Sequence, residues 1–308
     1  MRKLIYILFS ISILFVTEQL QAQQMMHFSQ YYFNDYVLNP AVAGSRDHFE
    51  VRSNQRMQWV GITDAPRTFT LSAHGPLKNK NMGVGGYIYT DIVGPTRRIG
   101  FQGSYAYHLQ LSDDLRLSLS LSGGLQQFAV DGSKITTKQE GDVAISSGVQ
   151  SALLPDAKFG FHLYGENFFF GASAPQLLQN QLRFFDGYDE PISRLEDHYF
   201  AIAGYRFDIT DDFSIEPAFM AKYVSPVPPQ FDIMTRIIYK DQIWIGASFR
   251  TEDAFSAMLG FTYKDYLLFG YSFDFTTSNI QNHSSGTHEV VLGVNFIQAN
   301  SVGSASFE

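Results

Sequence analysis

Charged side chains that alternate with apolar neighbours carry most of the potential chemistry of this sequence. They are Arg116, Arg206, Asp208, Glu216, Lys222, Arg236, Arg250, Asp274 and Glu289. A Lys or Arg that faces hydrocarbon near the middle of a bilayer costs about 2–4 kcal/mol, whereas opposite charges inside an enclosed lumen can pair. We therefore expect these side chains on an inward face, mainly as an ion-pair network that braces the wall. A charged transport path or a docking surface is the functional alternative.

Catalytic and metal-binding motifs are absent from the sequence. It has no Gly-x-Ser-x-Gly, His-Glu-x-x-His, P-loop or Gly-x-Gly-x-x-Gly motif, its eight histidines lack metal-ligand spacing, and it has no cysteine. His108 falls on an inward phase, where a hydrogen-bonded wall residue is favoured over the base of a barrel hydrolase. One loop carries carboxylates without the fixed spacing of a calcium loop: Asp186, Asp189, Glu190, Glu196 and Asp197. The sequence thus predicts a protein that is not an enzyme and that has no cofactor or metal.

Residues 1–22 have the layout of a cleavable signal peptide. Arg2 and Lys3 precede an almost wholly apolar run over residues 4–16, and a small residue, Ala22, stands before the expected cut. An amino-terminal membrane anchor is the alternative, but the apolar run is shorter than the roughly 20 residues that a spanning helix needs. We therefore expect an exported protein.

The composition is poor in charge and rich in aromatic residues. Charged residues make up 17% of the chain, against about 25% in ordinary soluble proteins, while aromatic residues make up 15% and the mean hydropathy is −0.09. Half-apolar strands with no long apolar run produce this combination, which is typical of a transmembrane barrel. The net charge of −8, without a basic stripe, argues against binding to nucleic acid.

Period-2 alternation runs through long stretches of the chain. From Ile99 to Leu111, every odd position except Gly103 is apolar or aromatic, and the even positions are small or polar. Such segments reach the roughly 9–11 residues with which a tilted strand crosses a bilayer. About fourteen strands are predicted, an even number that allows closure, over residues 48–55, 67–74, 82–91, 97–111, 114–128, 157–164, 167–174, 198–209, 212–224, 230–239, 242–250, 254–263, 266–276 and 287–297.

The predicted fold class is all-β, a transmembrane antiparallel β-barrel with short periplasmic turns and longer extracellular loops. Short polar links at 112–113, 165–166, 210–211, 240–241 and 264–265 alternate with longer ones at 56–66, 129–156, 175–197 and 277–286. A soluble β-sandwich would also alternate, but the strand length favours the membrane. Apolar residues of the 175–197 link are expected to seal the barrel, with protein contact as a second use. Pro217 predicts a bulge or break in its strand, because proline has no N–H to donate.

The segment before the first strand is too aromatic to remain free in solvent. Residues 23–47 are expected either to pack into the barrel as a plug or to form a plain lead-in to the first strand. The predicted organisation is a signal peptide over 1–22, this lead-in or plug over 23–47, a transmembrane β-barrel over 48–297, and a tail over 298–308.

Motifs outside the regular strands carry a family resemblance. HFSQYYFN at 27–34 and LNPAVAGS at 38–45 precede the first strand, and GYSFD at 270–274 and GTHEV at 286–290 lie near the end. In this order and spacing the chain resembles the PorP/SprF family of type IX secretion system membrane proteins. The resemblance offers candidates for partner docking, namely Phe28, Gln30, Tyr31, Asn34, Asn39, Pro40, Ala41, Gly44, Trp59, His288 and Glu289.

The resemblance implies an outer-membrane protein of a gliding, secreting bacterium. Its implied partners are outer-membrane lipid, components of the secretion machinery, and a secreted adhesin with a type B C-terminal signal, whose export or surface attachment it would support. A diffusion porin or small-solute outer-membrane transporter is the alternative function, and a barrel enzyme is a third. The tail after Phe296 departs from barrels that end on an aromatic residue.

Overall fold

The alternating segments pair in chain order into one antiparallel sheet. The computed structural model describes residues 25–78, 81–135, 148–179, 181–182, 193–194, 197–225 and 227–296. Its strands are β1 (Phe49–Met57), β2 (Arg67–Pro76), β3 (Met82–Val93), β4 (Thr96–Gln110), β5 (Arg116–Asp131), β6 (Val149–Tyr164), β7 (Phe168–Ala174), β8 (Gln181–Leu182), β9 (Ser193–Arg194), β10 (His198–Tyr205), β11 (Phe207–Asp208), β12 (Phe213–Val224), β13 (Val227–Tyr239), β14 (Ile243–Arg250), β15 (Ala254–Tyr263), β16 (Leu267–Thr276) and β17 (Thr287–Phe296).

The sheet closes on itself because its first and last strands pair. β1 and β17 are in antiparallel register from Phe49 opposite Phe296 to Met57 opposite His288. β8 and β9 form a separate small hairpin, and β10 and β11 are two pieces of one barrel strand, so the closed barrel has 14 strands. The predicted antiparallel barrel and its strand number are confirmed. In the part of the chain that the structure describes, no helix is long and apolar enough to span a membrane.

Two predicted strands differ from the structure by more than a shift of one to three residues at their ends. β6 begins at Val149 rather than at residue 157, because β5 and β6 stay paired up to Asp131 opposite Val149. The predicted strand 198–209 is divided at Arg206. β10 and β11 keep the same register on β12, with Gly204 opposite Ala218 and Phe207 opposite Ile215.

Pro217 explains the division of that strand. β12 runs through Pro217 without a register shift, and Pro217 pairs with Thr235 of β13. In this register Tyr205, the last residue of β10, is opposite Pro217, which has no N–H to offer there, and the gap follows at Arg206. The prediction of a break in the strand of Pro217 itself is therefore wrong, and the interruption falls on the neighbouring strand.

The two faces of the wall follow the alternation. Outward positions carry exposed apolar side chains, among them Phe101, Leu121, Ile233, Ile245, Phe255 and Leu259. Inward positions carry buried polar side chains, as Ser118, Ser120 and Ser122 show on β5. Large exposed apolar side chains around a closed wall suit hydrocarbon as the outer solvent.

Short links gather at one end of the barrel, which we call the turn end. Lys240–Asp241 and Lys264–Asp265 have positive φ at both residues (51° and 55°, 51° and 56°), which is the geometry of tight hairpin turns. The opposite end, the loop end, carries the links at 58–66, 132–148, 175–197 and 277–286. In outer-membrane barrels the short turns face the periplasm and the long loops face outward.

Residues 25–45 lie inside the barrel, and we call them the interior segment. They contain short helical turns at Tyr31–Asn34, Asp35–Leu38 and Pro40–Val42. The segment descends from the loop end, where His27 lies near Lys222, to the turn end, where Ala43 meets the start of β3 at Gly83. The predicted signal peptide and the predicted tail fall outside the described residues.

Candidate functional site

The interior segment is almost completely removed from solvent. Phe28, Tyr31, Tyr36 and Ala41 are each no more than 1% exposed. The apolar side chains of the segment pack against buried wall residues such as Met220, Met234 and Trp244. The segment is therefore part of the packed interior of the barrel, and its contacts with the wall define the candidate site.

Glu289 of β17 binds the start of the segment through its main chain. The amide groups of Ser29 and Gln30 donate to the two oxygens of the Glu289 carboxylate, at 2.8 and 3.0 Å. The side-chain amide of Gln30 donates to the Glu289 carbonyl oxygen at 3.2 Å. Two successive N–H donors on one carboxylate fix the orientation of the chain at this point.

Two arginines, Arg56 and Arg250, contact the same place. We call Ser29, Arg56, Arg250, Asp274 and Glu289 the Ser29 cluster. Arg56 donates to the Ser29 hydroxyl at 2.8 Å and forms ion pairs with Glu289 at 3.0 Å and Asp274 at 2.7 Å. The Ser29 hydroxyl donates to Asp274 at 2.7 Å. Arg250 donates to the same hydroxyl at 3.0 Å. The buried charges of this cluster are thus paired with one another and with the segment.

Two of these buried ion pairs join directly opposed strand positions. Arg56 lies opposite Glu289 in the β1–β17 register, and Asp232 lies opposite Arg250 in the β13–β14 register. Arg250 and Asp232 are 3.1 Å apart. Side chains at such positions stand close together on one face, so each pair is built into the ladder.

A second charged contact lies nearer the turn end. Glu216 and Arg236 are opposite each other on β12 and β13 and form a buried ion pair. The Arg236 guanidinium also stacks over the rings of Tyr32 and Phe33, at 4.1 and 4.4 Å from their centroids. This cation–π contact ties the aromatic part of the interior segment to the wall.

Wall side chains bind carbonyl groups of the segment in the half that lies nearer the turn end. Lys158 donates to the Val37 carbonyl and Ser173 to the Leu38 carbonyl, each at 2.7 Å. His108 lies 3.0 Å from the Ala43 carbonyl through Nε2. Main-chain groups of a buried segment need such partners, because water is excluded from them.

Glycines in the wall have no side chain, and the segment occupies the space that a side chain would take. A Cβ on Gly83 would lie 1.8 Å from the Ala43 carbonyl oxygen, one on Gly160 would lie 2.2 Å from Asn39, and one on Gly270 would lie 2.3 Å from Gln30. At each of these positions a Cβ would force a neighbour to move, and at Gly83 that neighbour is main chain rather than the end of a side chain. Gly44, at the end of the segment, has φ +77°, a conformation that favours glycine.

Most of the family-signature residues lie in the interior segment, and the others are spread over the barrel. Phe28, Gln30, Tyr31, Asn34, Asn39, Pro40, Ala41 and Gly44 are buried in the segment. Trp59 lies in the loop after β1, where its main-chain N–H donates to Thr287 at 3.1 Å. His288 is on the opposite face from Glu289 and lies 2.7 Å from the hydroxyl of Tyr271. Only Glu289 of the carboxy-terminal pair reaches the segment.

The predicted charges do not form one lumen network. Glu216, Lys222, Arg236, Arg250, Asp274 and Glu289 are buried inside the barrel. Arg116, Arg206 and Asp208 instead lie at the turn-end rim, because β5 begins at Arg116 and β10 ends just before Arg206. There Arg206 pairs with Asp208 at 2.8 Å and with Asp241 at 2.6 Å.

Several contact residues were missed from the sequence. Arg56 belongs to the Ser29 cluster, Asp232 pairs with Arg250 beside it, and Lys158 binds the segment nearer the turn end. Arg56 shares the inward phase of β1 with Glu50, Arg52 and Asn54, and this run of polar residues is the signal that could have found it. No comparable sequence pattern marks Lys158, because its hydrogen bond to the Val37 carbonyl depends on the path of the interior segment.

Each end of the barrel has a cavity beside the segment. The turn-end cavity, of about 290 Å³, lies between the segment and the starts and ends of β6, β7 and β10, and it is lined in part by Tyr32, Arg46, Phe168, Tyr205 and Glu216. The loop-end cavity, of about 260 Å³, is lined in part by His27, Trp59, Lys222, Gln230 and Asp253. In the described part of the chain, no group of three or more His, Cys, Asp or Glu residues is placed to hold a metal ion.

A protein-family comparison decides what this plugged barrel is related to. The family model described as type IX secretion system membrane protein PorP/SprF matches residues 20–294, which is nearly the whole chain. The chain belongs to the PorP/SprF family. It is therefore a component of the type IX secretion system in the outer membrane, and the family resemblance seen in the sequence is confirmed.

Solved outer-membrane barrels share the fold of this family member at low identity. The toluene transporter TbuX of Ralstonia pickettii has a TM-score of 0.53 and 9% identity, over 84% of this chain and 92% of that chain. The toluene transporter TodX of Pseudomonas putida has a TM-score of 0.51 and 8% identity, over 89% and 95%. At such identities the likeness shows the fold alone. No curated protein matches the chain.

Proposed function

We propose that this PorP/SprF family member supports the export or the surface attachment of a secreted adhesin, acting through protein–protein contacts. The observation that supports the proposal is the occupied interior of the barrel. A diffusion porin has a polar, water-filled channel, whereas residues 25–45 take up this interior and are hydrogen-bonded to the wall along their length. A barrel of this kind offers surfaces to other proteins rather than a passage to solutes.

The two ends of the barrel suit different partners. The turn end carries charged side chains at its rim, including Arg116, Arg206 and Asp208, beside a cavity lined with aromatic rings. We assign this end to contact with periplasmic components of the secretion machinery. The loop end, with Leu177 and Leu178 exposed, is assigned to the adhesin with its type B C-terminal signal. In a gliding bacterium such an adhesin would serve motility.

Deletion of the gene, followed by proteomics of the cell surface and the medium, tests this function. The expected result is loss of one adhesin from the surface, while other proteins exported by the same system remain. Complementation with the wild-type chain should restore it. An unchanged surface proteome contradicts the proposal.

Conductance in planar bilayers tests the alternative of a diffusion porin or small-solute transporter. The fold is shared with named transporters of toluene, which makes the comparison necessary. We expect no large, steady current from the purified protein, because the interior segment blocks the lumen. A stable open channel in the wild-type protein would favour the alternative.

A further inference from the structure

Lys222 is a buried cation without a counter-ion at the loop end of the barrel. Its side chain is on the inward face of β12, the residue is 8% exposed, and it lines the loop-end cavity. Among the residues that the structure describes, no hydrogen bond or ion pair reaches its ammonium group. Burial of an unpaired charge is costly, so this position calls for an explanation.

The strand register explains why no neighbour pairs with Lys222. Across the ladder it lies opposite Gln230 of β13 on one side and Phe200 of β10 on the other. Neither is an acid. By contrast, two carboxylates at the same cavity are already engaged, with Asp253 paired to Arg250 at 2.8 Å and Asp274 paired to Arg56 at 2.7 Å, while Glu252, the third, is exposed to solvent.

His27 provides a second unsatisfied group at the cavity. Neither ring nitrogen has a hydrogen-bond partner in the described part of the chain, although both are buried. Nε2 lies 3.9 Å from the Asp232 carboxylate, beyond hydrogen-bond distance. Buried polar atoms in folded proteins are normally paired, so the cavity offers a free ring nitrogen as well as a free ammonium.

We propose that the loop-end cavity binds a single carboxylate group, with Lys222 as its counter-ion. One unpaired positive charge calls for one negative charge. A phosphate dianion fits less well, because Glu252, Asp253 and Asp274 also line the cavity. The volume of about 260 Å³ admits a small group such as an acidic side chain, and the lining loop residues place the cavity within reach from outside the cell.

A carboxylate could come from an acidic side chain of a polypeptide or from a free small acid. Both sources are tested with the purified protein in detergent. Calorimetric titration uses a capped pentapeptide with one central Glu and the same peptide with Gln, and sodium acetate serves as competitor. We expect saturable binding of one Glu peptide per barrel and none of the Gln peptide. Competition by acetate identifies the carboxylate alone as the ligand, and its absence identifies a polypeptide source.

Substitutions of Lys222 locate the site. Lys222→Met should weaken Glu-peptide binding at least tenfold, and Lys222→Gln should do the same if the Met variant does not fold. The matched control is Lys264→Met, which removes an exposed lysine at the turn end and should leave binding unchanged. Equal binding of the Glu and Gln peptides, wild-type binding by a folded Lys222 variant, or no binding of any probe to the wild-type protein overturns the proposal.

Discussion

At the scale of single residues, strand register decides which buried charges are satisfied. Arg56 and Glu289, Asp232 and Arg250, and Glu216 and Arg236 are each opposite one another in neighbouring strands, and each forms an ion pair. Removing one member of a buried pair typically costs about 3–5 kcal/mol when the other is left uncompensated, although Arg56 keeps Asp274 as a second partner and Arg250 keeps Asp253. The Ser29 cluster adds a second loss, because Glu289 also accepts two main-chain N–H groups.

Glu289→Gln is therefore expected to be one of the most destabilising conservative changes in the chain. The amide carries no charge to pair with Arg56, and its single oxygen can accept from only one of the two N–H groups of Ser29 and Gln30, so that its NH2 group is left facing the other. We expect a loss of about 3–5 kcal/mol in the free energy of unfolding, measured by urea titration of the detergent-solubilised protein. Glu166→Gln, at an exposed turn-end position, is the control and should change it by less than about 0.5 kcal/mol. If Glu289→Gln lowered the free energy of unfolding as little as the Glu166→Gln control does, this account of the cluster would be contradicted.

His27 should make stability depend on pH. Burial, followed by the nearby positive charges of Arg250, Lys222 and Arg56, holds the pKa of His27 well below its usual value. The folded protein thus keeps His27 neutral, while the unfolded chain takes up a proton below about pH 6.5. Stability contributed by the neutral form is present above that pH and is lost as the pH falls.

The measurement compares wild type with His27→Gln across pH. The difference in their free energies of unfolding should be constant above about pH 7 and should turn against the wild type below about pH 6.5. A constant difference down to pH 5 would show that His27 does not titrate differently in the two states.

At the scale of strands, glycine positions on the inward face fit the interior segment. Gly83 and Gly160 leave no space for a Cβ, whereas nothing lies within 4 Å of a Cβ built on Gly103. Glycines in a strand therefore differ in what restricts them. Those opposite the segment set the distance at which it packs, others such as Gly124 are restricted by neighbouring wall residues, and Gly103 is restricted by none.

Gly83→Ala and Gly103→Ala should differ sharply in effect. A methyl group on Gly83 meets the Ala43 main chain, which cannot rotate away, so the segment must shift at a cost of about 1–3 kcal/mol. Gly103→Ala should be neutral or slightly stabilising, because alanine loses less entropy on folding. Unfolding free energies together with limited proteolysis of the interior segment check this. Equal behaviour of the two variants would mean that the segment is not seated against β3.

The strands could be predicted from the sequence, but the contacts of the interior could not. The alternation predicts the strands because each strand presents one face to lipid and the other to a polar interior. This pattern depends only on residues within the same strand. The pairing of Arg56 with Glu289 depends on closure of the barrel, which joins residues far apart in the chain. Lys222 has the same alternation as Arg236, yet only the register reveals that its neighbours are Gln230 and Phe200.

At the scale of the whole molecule, the proposed function requires the interior segment to stay in place. Asn34 donates to the side-chain oxygen of Asn54 on β1 at 2.7 Å, and the chain has no cysteine. Asn34→Cys combined with Asn54→Cys can thus be joined by a short bifunctional thiol reagent. We expect cells with the joined protein to display the adhesin at the wild-type level, with either single variant as control. Loss of display only after joining would mean that the segment must leave the lumen during function.

The position of the Ser29 cluster also constrains how the barrel is assembled. Ser29 lies near the predicted mature amino terminus, while Glu289, which binds it, is on the strand that closes the wall. The contact that fixes the start of the interior segment therefore depends on the same strand, β17, whose pairing with β1 closes the wall.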